Sequence, residues 1–373
     1  MVPVSVRSAI AGNGRLAVGL AAIAVLAVAG GAFVANRGPA VSSATAPQPL
    51  VETPTATGPT RKINLADLPA GRTPQVTYVS GRVIKGGLGS DITVPGRQDI
   101  IRAARFEGDA LVILDVGTGA TELVRVSGSE GIVRGSKVPG VASLVVSVGE
   151  DTVAYGTART NADHTRRQGN TLYWRNESGE QQQLERPDDW FSDVLAVAGP
   201  VVYFAAGTDR DNPDATLNAW QTESGQVEEL GSFTSPAGVD FQGTSGVDQI
   251  SGAAQTFCSA VRHLADGKQI WRTCEYSLNG FTPDGETIFA TPDFRAEGSD
   301  PSTTALDSGT GAVRRQWTGP RFVGTTAEDD NHLLMVVKSG ENTPNAIIRC
   351  SIDSGACEVA TPMTAEPLLL PGS

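Results

Sequence analysis

The sequence predicts an all-β chain: a β-propeller, seven blades with six as the alternative count, following one N-terminal transmembrane helix. Three observations carry this reading. Gly179, Gly225, Gly267, Gly311 and Gly355 lie 46, 42, 44 and 44 residues apart, each in a turn between two short strand-like runs, and Gly131 precedes them by 48. A period near 44 residues with several strands per unit marks a propeller. Charged residues make up only 19% of the 373, and Gly is abundant at 43, which suits strands and turns better than helices. Finally, residues 16–35, LAVGLAAIAVLAVAGGAFVA, carry no charge.

The elements follow in chain order. Twenty residues at ~1.5 Å each span about 30 Å, the thickness of a bilayer's hydrocarbon core. Arg7 and Arg15 precede the run. They predict a cytoplasmic tail over 1–15, an anchor over 16–35 and an extracytoplasmic C-terminal domain. The rival reading is a cleaved signal peptide with Gly30 and Ala32 before the cut, which would make the domain secreted. No cysteine lies near the run, which excludes a lipid anchor. Residues 36–62 are rich in Pro, Ala, Thr and Ser without apolar periodicity and predict a disordered, extended linker. At ~3.1 Å per residue such a spacer holds a domain several tens of ångströms from the membrane.

From residue 63 to 373 the chain divides into repeating units. VASLVVSVGEDTVAYGT with TLYWRNESGEQQQL reads as four strands, and VLAVAGPVVYFAA with TLNAWQTESGQVEEL repeats the order. Trp174 and Trp220 both stand five residues before their turn glycine, which predicts a shared register and packing between blades. VTYVSGRVIKGGLGSDITV is a partial blade, and the C-terminal AEPLLLPGS is expected to complete it and close the ring. Cys258 and Cys274 are equidistant from Asp266 at one hairpin tip, and Cys350 and Cys357 straddle the Asp353-Ser354 turn. Strands folding back there bring each pair within disulfide reach, as an oxidising compartment favours.

FTPDGETIFATPD, Phe281 to Asp293, resembles the blades of bacterial TolB-like and WD-like propellers, which carry an aromatic, a Ser/Thr-Pro-Asp-Gly turn and an apolar strand. That resemblance implies the fold over about 300 residues and no particular activity. ALDSGTGAVRRQW, Ala305 to Trp317, is similar to the repeat of pyrroloquinoline-quinone propellers, but its Trp arrives later and the adjacent-cysteine pair of some quinone-binding relatives is missing. It implies structural likeness only, and no cofactor is expected.

The chain carries little catalytic signature. Its three histidines, His164, His263 and His332, have no paired spacing for a metal. There is no Gly-x-Ser-x-Gly elbow, sialidase-type Asp box, Walker loop or dinucleotide fingerprint. DRDNPD, Asp209 to Asp214, fails the EF-hand template because Pro213 takes a ligand position and Trp220 the place of the bidentate Glu. The formal net charge of −12 opposes binding to nucleic acid.

Topology directs attention to the connections between second and third strands, which emerge on one face. ARTNADHTRRQGN, GTDRDNPDA, PDFRAEGSDPS and SGENTPN read there as long polar loops, whereas the turns of the opposite face are short and Gly-centred. Arg159, His164, Arg166, Arg167, Asp209, Asp211 and Arg295 are the candidate binding residues. The expectation is a non-catalytic binding or scaffold module on the outer face of a bacterial plasma membrane, for a peptide, protein or cell-envelope ligand. The alternative is an extracytoplasmic enzyme, hydrolase or quinoprotein-like, with its site at the channel mouth. An anti-sigma regulator is disfavoured, since about 15 residues before the anchor are too few for a cytoplasmic domain.

Overall fold

The computed structural model describes residues 58–128, 131–161, 165–210, 214–251, 257–292, 302–340 and 343–371. The apolar run 16–35 lies outside them, and among the described residues no helix is long and apolar enough to cross a membrane. The described chain forms seven sheets, six of four strands and one of five. Blade 2 shows the plan: Asp99–Phe106, Asp109–Gly117, Ala120–Ser127 and Ile132–Pro139 follow one another as an antiparallel meander. Blade 3 is Val141–Val146, Thr152–Thr160, Arg166–Asn176 and Gln181–Arg186; blade 4 is Phe191–Ala198, Val201–Gly207, Thr216–Gln221 and Val227–Leu230. Blades 5, 6 and 7 begin at Pro236–Val239, Tyr276–Phe281 and Arg321–Ala327. First strands of successive blades pack against one another, so they form the innermost ring.

Blade 1 closes that ring. Tyr78–Ser80, Val83–Lys85 and Ile92–Thr93 supply its outer three strands, and Leu368–Leu369 supplies the inner one. The expected completion of the partial blade by the C-terminus is thus realised, and seven is the blade count. The register between the chain ends is short, Val79 with Leu369 and Ser80 with Leu368. A second device supports it. Thr60–Lys62, at the end of the expected linker, is a strand that runs parallel to Val313–Thr318 of blade 6. The chain then crosses to blade 7, where Gly71 N donates to Val359 O at 2.9 Å and Val359 N to Pro69 O at 2.8 Å. The ordered fold therefore begins before residue 63, because the outer edge of blade 6 offers these residues a ladder.

Under this strap lies a buried charge network. Arg349 of blade 7 donates to both carboxylate oxygens of Glu328, to Glu358, and to the carbonyls of Arg72 (2.9 Å) and Thr73 (3.0 Å). Glu328 in turn accepts from the backbone N–H of Gln75 at 2.7 Å.

One apolar cluster lies at each of the seven inter-blade interfaces. Strand alternation explains this: successive side chains face opposite neighbours, so each blade must be apolar on both faces. Tryptophans add fixed points. Trp271 Nε1 donates to Ser308 O of the next blade at 2.6 Å, and Trp317 Nε1 to Gly355 O at 3.2 Å. Trp174 and Trp220 do pack between blades, in the cluster shared by blades 3 and 4. Their registers differ, however. In blade 4, Gln221 N bonds to Gln226 O around a four-residue turn, and blades 5, 6 and 7 repeat that spacing. In blade 3, Asn176 N bonds to Glu180 O and the turn holds three residues. One residue fewer moves the position five before the glycine to the other face of the strand. Trp220 therefore faces back toward blade 3, and Trp174 forward toward blade 4.

Both disulfides form across the third-to-fourth-strand hairpins as expected, Cys274 standing one residue beyond its strand. Cys258 bonds to Cys274 and Cys350 to Cys357, with Cα–Cα distances of 4.0 and 4.1 Å. The turn glycines require φ > 0, for example Gly355 at 71°.

Two outcomes follow. Arg349→Ala leaves the Glu328 carboxylate, whose side chain is 0% exposed, with only the half-exposed Arg72 guanidinium at 3.3 Å as its cation. Urea denaturation should show a loss of about 3–5 kcal/mol. Peptide mapping without reduction should recover Cys258 joined to Cys274 and Cys350 to Cys357; a bridge between the two hairpins would contradict the register.

Candidate functional site: the channel mouth at blades 3 and 4

The face bearing the connections between second and third strands carries a basic pocket of about 180 Å³, lined by Thr165, Arg166, Trp190, Phe191 and Arg210. Its floor is built by the connector from blade 3 to blade 4. Asp189 is buried, and its carboxylate accepts from Arg186 Nε at 2.7 Å and Ser192 Oγ at 2.8 Å. The Asp189 carbonyl accepts from Asn170 Nδ2 at 2.7 Å and from Gly169 N at 2.9 Å. Trp190 N donates to Gly207 O at 2.7 Å. A Cβ on Gly207 would meet the Phe191 ring at 2.3 Å, so glycine is needed for the ring to seat there.

Arg166 and Arg210 bring the charge. Arg166 Nη2 donates to Asn170 Oδ1 at 3.1 Å on its own strand, and Asn170 Nδ2 in turn holds the connector at Asp189 O. Arg210 lies over the Trp190 ring, 5.6 Å from its centroid. Behind them, on inner strands, stand Asp193 of blade 4 and Arg102 of blade 2. Arg102 Nη1 donates to Leu144 O of blade 3 at 3.2 Å. Burial pushes the Asp193 carboxyl above the usual carboxylate range, although Arg166 and Arg102 act in the opposite direction. Burial also draws Arg102 below its ordinary value, with Asp193 opposing. None of these pairs closes to an ion pair within 4 Å among the described residues. The mouth therefore gathers Arg166, Arg210 and Arg102 around one buried carboxyl, in a chain of net charge −12.

The structure redistributes the residues singled out from sequence. ARTNADHTRRQGN is mostly strand, since blade 3's second strand extends to Thr160 and its third begins at Arg166. Arg159 is paired with Glu185 at 3.1 Å on the outer strand and takes no part in the mouth. Arg166 reaches the pocket, while Arg167, next to it, is exposed on the other side of the strand. Asp209 is exposed, one residue before Arg210. His164, Asp211 and Arg295 lie outside the described residues. Sequence reasoning missed Arg102, Trp190, Asp193 and Arg210. Arg210 sat in plain view inside DRDNPD, where the acidic neighbours drew the attention. Arg102 and Asp193 are 91 residues apart and meet only because inner strands converge.

No protein-family model matches the chain, and no curated protein matches it in sequence. Solved structures do resemble it. A prolyl endopeptidase is 14% identical with a TM-score of 0.52, over 81% of this chain and 48% of that one, so this chain spans about half its length. The β-propeller domain of the Trilobed protease of Pyrococcus furiosus is 12% identical (TM-score 0.48; 72% and 85% covered). TolB of Acinetobacter baumannii is 13% identical (TM-score 0.44; 71% and 66% covered). The likeness is one of fold. The resemblance noted at Phe281 to Asp293 holds at that level: in the Thr282-Pro283-Asp284-Gly285 turn, Thr282 Oγ1 donates to Asp284 at 2.6 Å and Gly285 adopts φ 74°.

The raised Asp193 pKa has a stability consequence with a definite sign. The folded protein holds this proton more tightly than the unfolded chain, so the group costs stability as pH rises from the unfolded toward the folded pKa. Asp193→Asn removes that cost. Urea midpoints should show the variant more stable than wild type at pH 7, with the advantage disappearing below the unfolded carboxylate range.

Proposed function

We propose that this protein is a non-catalytic binding module whose channel mouth at blades 3 and 4 receives an anionic group of a peptide, protein or cell-envelope ligand. The observation that carries this reading is the pocket lined by Arg166 and Arg210 above Trp190, backed by Arg102, on an otherwise acidic chain. Long-range attraction would steer an anion to this one region while the acidic remainder repels it. The apolar run 16–35, preceded by Arg7 and Arg15, supports tethering to the outer face of a plasma membrane through an extended linker.

A second reading rests on Asp193. A carboxyl with a raised pKa beside arginines is the kind of group that acts as a general acid. Asp193 and Asp99 are the acidic residues of the seven inner strands, which leaves this reading without the paired carboxylates of a hydrolytic site. Binding is therefore preferred.

Two experiments test the proposal. In pull-downs from an envelope fraction, the Arg166→Ala/Arg210→Ala variant should lose partners that wild type retains, and high salt should weaken the wild-type complex. Partners held equally by both proteins would overturn the assignment of the mouth. A C-terminal alkaline phosphatase fusion should be active and remain with membranes; an inactive fusion would overturn the topology.

A further inference from the structure

We propose that the cleft between blades 2 and 3 is a second, separate ligand site, which takes an acidic oligosaccharide. Its origin is the short turn of blade 3. In blades 4, 6 and 7 the residue five before the turn glycine, namely Trp220, Leu306 or Cys350, packs back against the preceding blade. In blade 3 the shifted register sends Trp174 forward and leaves Tyr173 and Arg175 facing blade 2. The interface that would have held an indole is instead an open cleft of about 670 Å³. That volume falls within the ~300–1,000 Å³ of small-ligand sites.

The lining specifies the ligand. Tyr155 and Tyr173 stack with ring centroids 4.8 Å apart and form one wall. Gln183 and Gln181 stand opposite Tyr173 and Arg175 in the ladder, on the same face. Arg125 and Arg134 face them from blade 2. The lining contains three arginines and no carboxylate. Behind the lining, Glu107 accepts from Arg125 at 2.8 Å and from Arg175 Nη2 at 3.0 Å, and Asp109 accepts from Arg125 Nε at 2.5 Å. This leaves Arg134 without a carboxylate partner among the described residues, and Arg175 Nε is buried with no hydrogen-bond partner. An unspent buried donor is costly unless a ligand satisfies it. Burial pushes the Tyr155 phenol up to about 12, so its hydroxyl stays protonated and able to donate. Aromatic rings suit the C–H faces of pyranoses, side-chain amides suit their hydroxyls, and guanidinium forks suit a carboxylate or sulfate.

An extended peptide fits less well. It would add to the outer strand Ile132–Pro139, but that strand carries Gly135 at φ 70°, shifts register against its neighbour near Arg125 and ends in proline. Such breaks interrupt the row of backbone groups that strand addition requires.

The test applies the full chain to immobilised oligogalacturonate, hyaluronan, heparin and sialyl-lactose oligosaccharides, with maltotriose and chitotriose as neutral controls and hexaglutamate as the peptide control. At least one acidic glycan should bind above all controls. The Arg134→Ala/Gln183→Ala pair, both on exposed residues, should weaken it about tenfold or more, the loss of a charge-assisted hydrogen bond. Tyr173→Ala should do the same, its folding checked by a thermal melt; if it does not fold, the exposed pair decides. Arg166→Ala at the channel mouth should leave this binding unchanged, which separates this site from the mouth. No acidic glycan above controls, equal binding of hexaglutamate, or binding that ignores the cleft variants while falling with Arg166→Ala would each overturn the proposal.

Discussion

Ring closure is the constraint on which everything else rests. Seven radial sheets bury their faces only if the last packs against the first, and here that junction is made by two residue pairs between chain ends. So short a ladder holds little by itself. The Arg349–Glu328 pair compensates by fastening residues 72–75 to blade 7 before the chain enters blade 1. Buried ion pairs are seldom net stabilisers compared with apolar packing, but they tolerate few alternative arrangements. Here the pair acts as a register pin: it accepts only the backbone that presents two carbonyls and one N–H at the right places.

Within the closed ring, each blade is free to vary so long as both faces are filled. Blades 4 to 7 keep one turn geometry, and their large side chains meet the neighbour in a common way. Blade 3 departs by a single residue. Because strand side chains alternate with period two, that one change reverses every contact of the strand beyond it. It doubles the indoles at one interface and leaves an open cleft at the other. Packing and cavity thus have one cause.

Arginine placement gives the molecule a side. Arg102, Arg125, Arg134, Arg166, Arg175 and Arg210 all belong to blades 2 to 4, around both the channel mouth and the cleft. Of the other arginines, Arg262 is paired with Asp248 and Arg314 with Asp307 inside their own blades. An acidic chain with positive charge gathered on neighbouring blades keeps solubility and repulsion over most of its surface while offering anions one approach.

The sequence by itself determined the propeller plan, a preference for seven blades over six, the closure by both termini and the two disulfides. Each of these depends on spacing along the chain, and glycine turns with φ > 0 are local requirements that survive in the sequence. It also placed Arg166 on the face that carries the connections between second and third strands. Only the tertiary structure decided that Trp174 and Trp220 face opposite ways, since one residue of turn length is invisible to a period near 44. Likewise, only the fold could join Arg102 to Asp193, withdraw Arg159 into a pair with Glu185, and reveal Arg210 over Trp190. Spacing is written along one strand, whereas charge neutralisation depends on which strand stands beside it, and that is settled only when the ring closes.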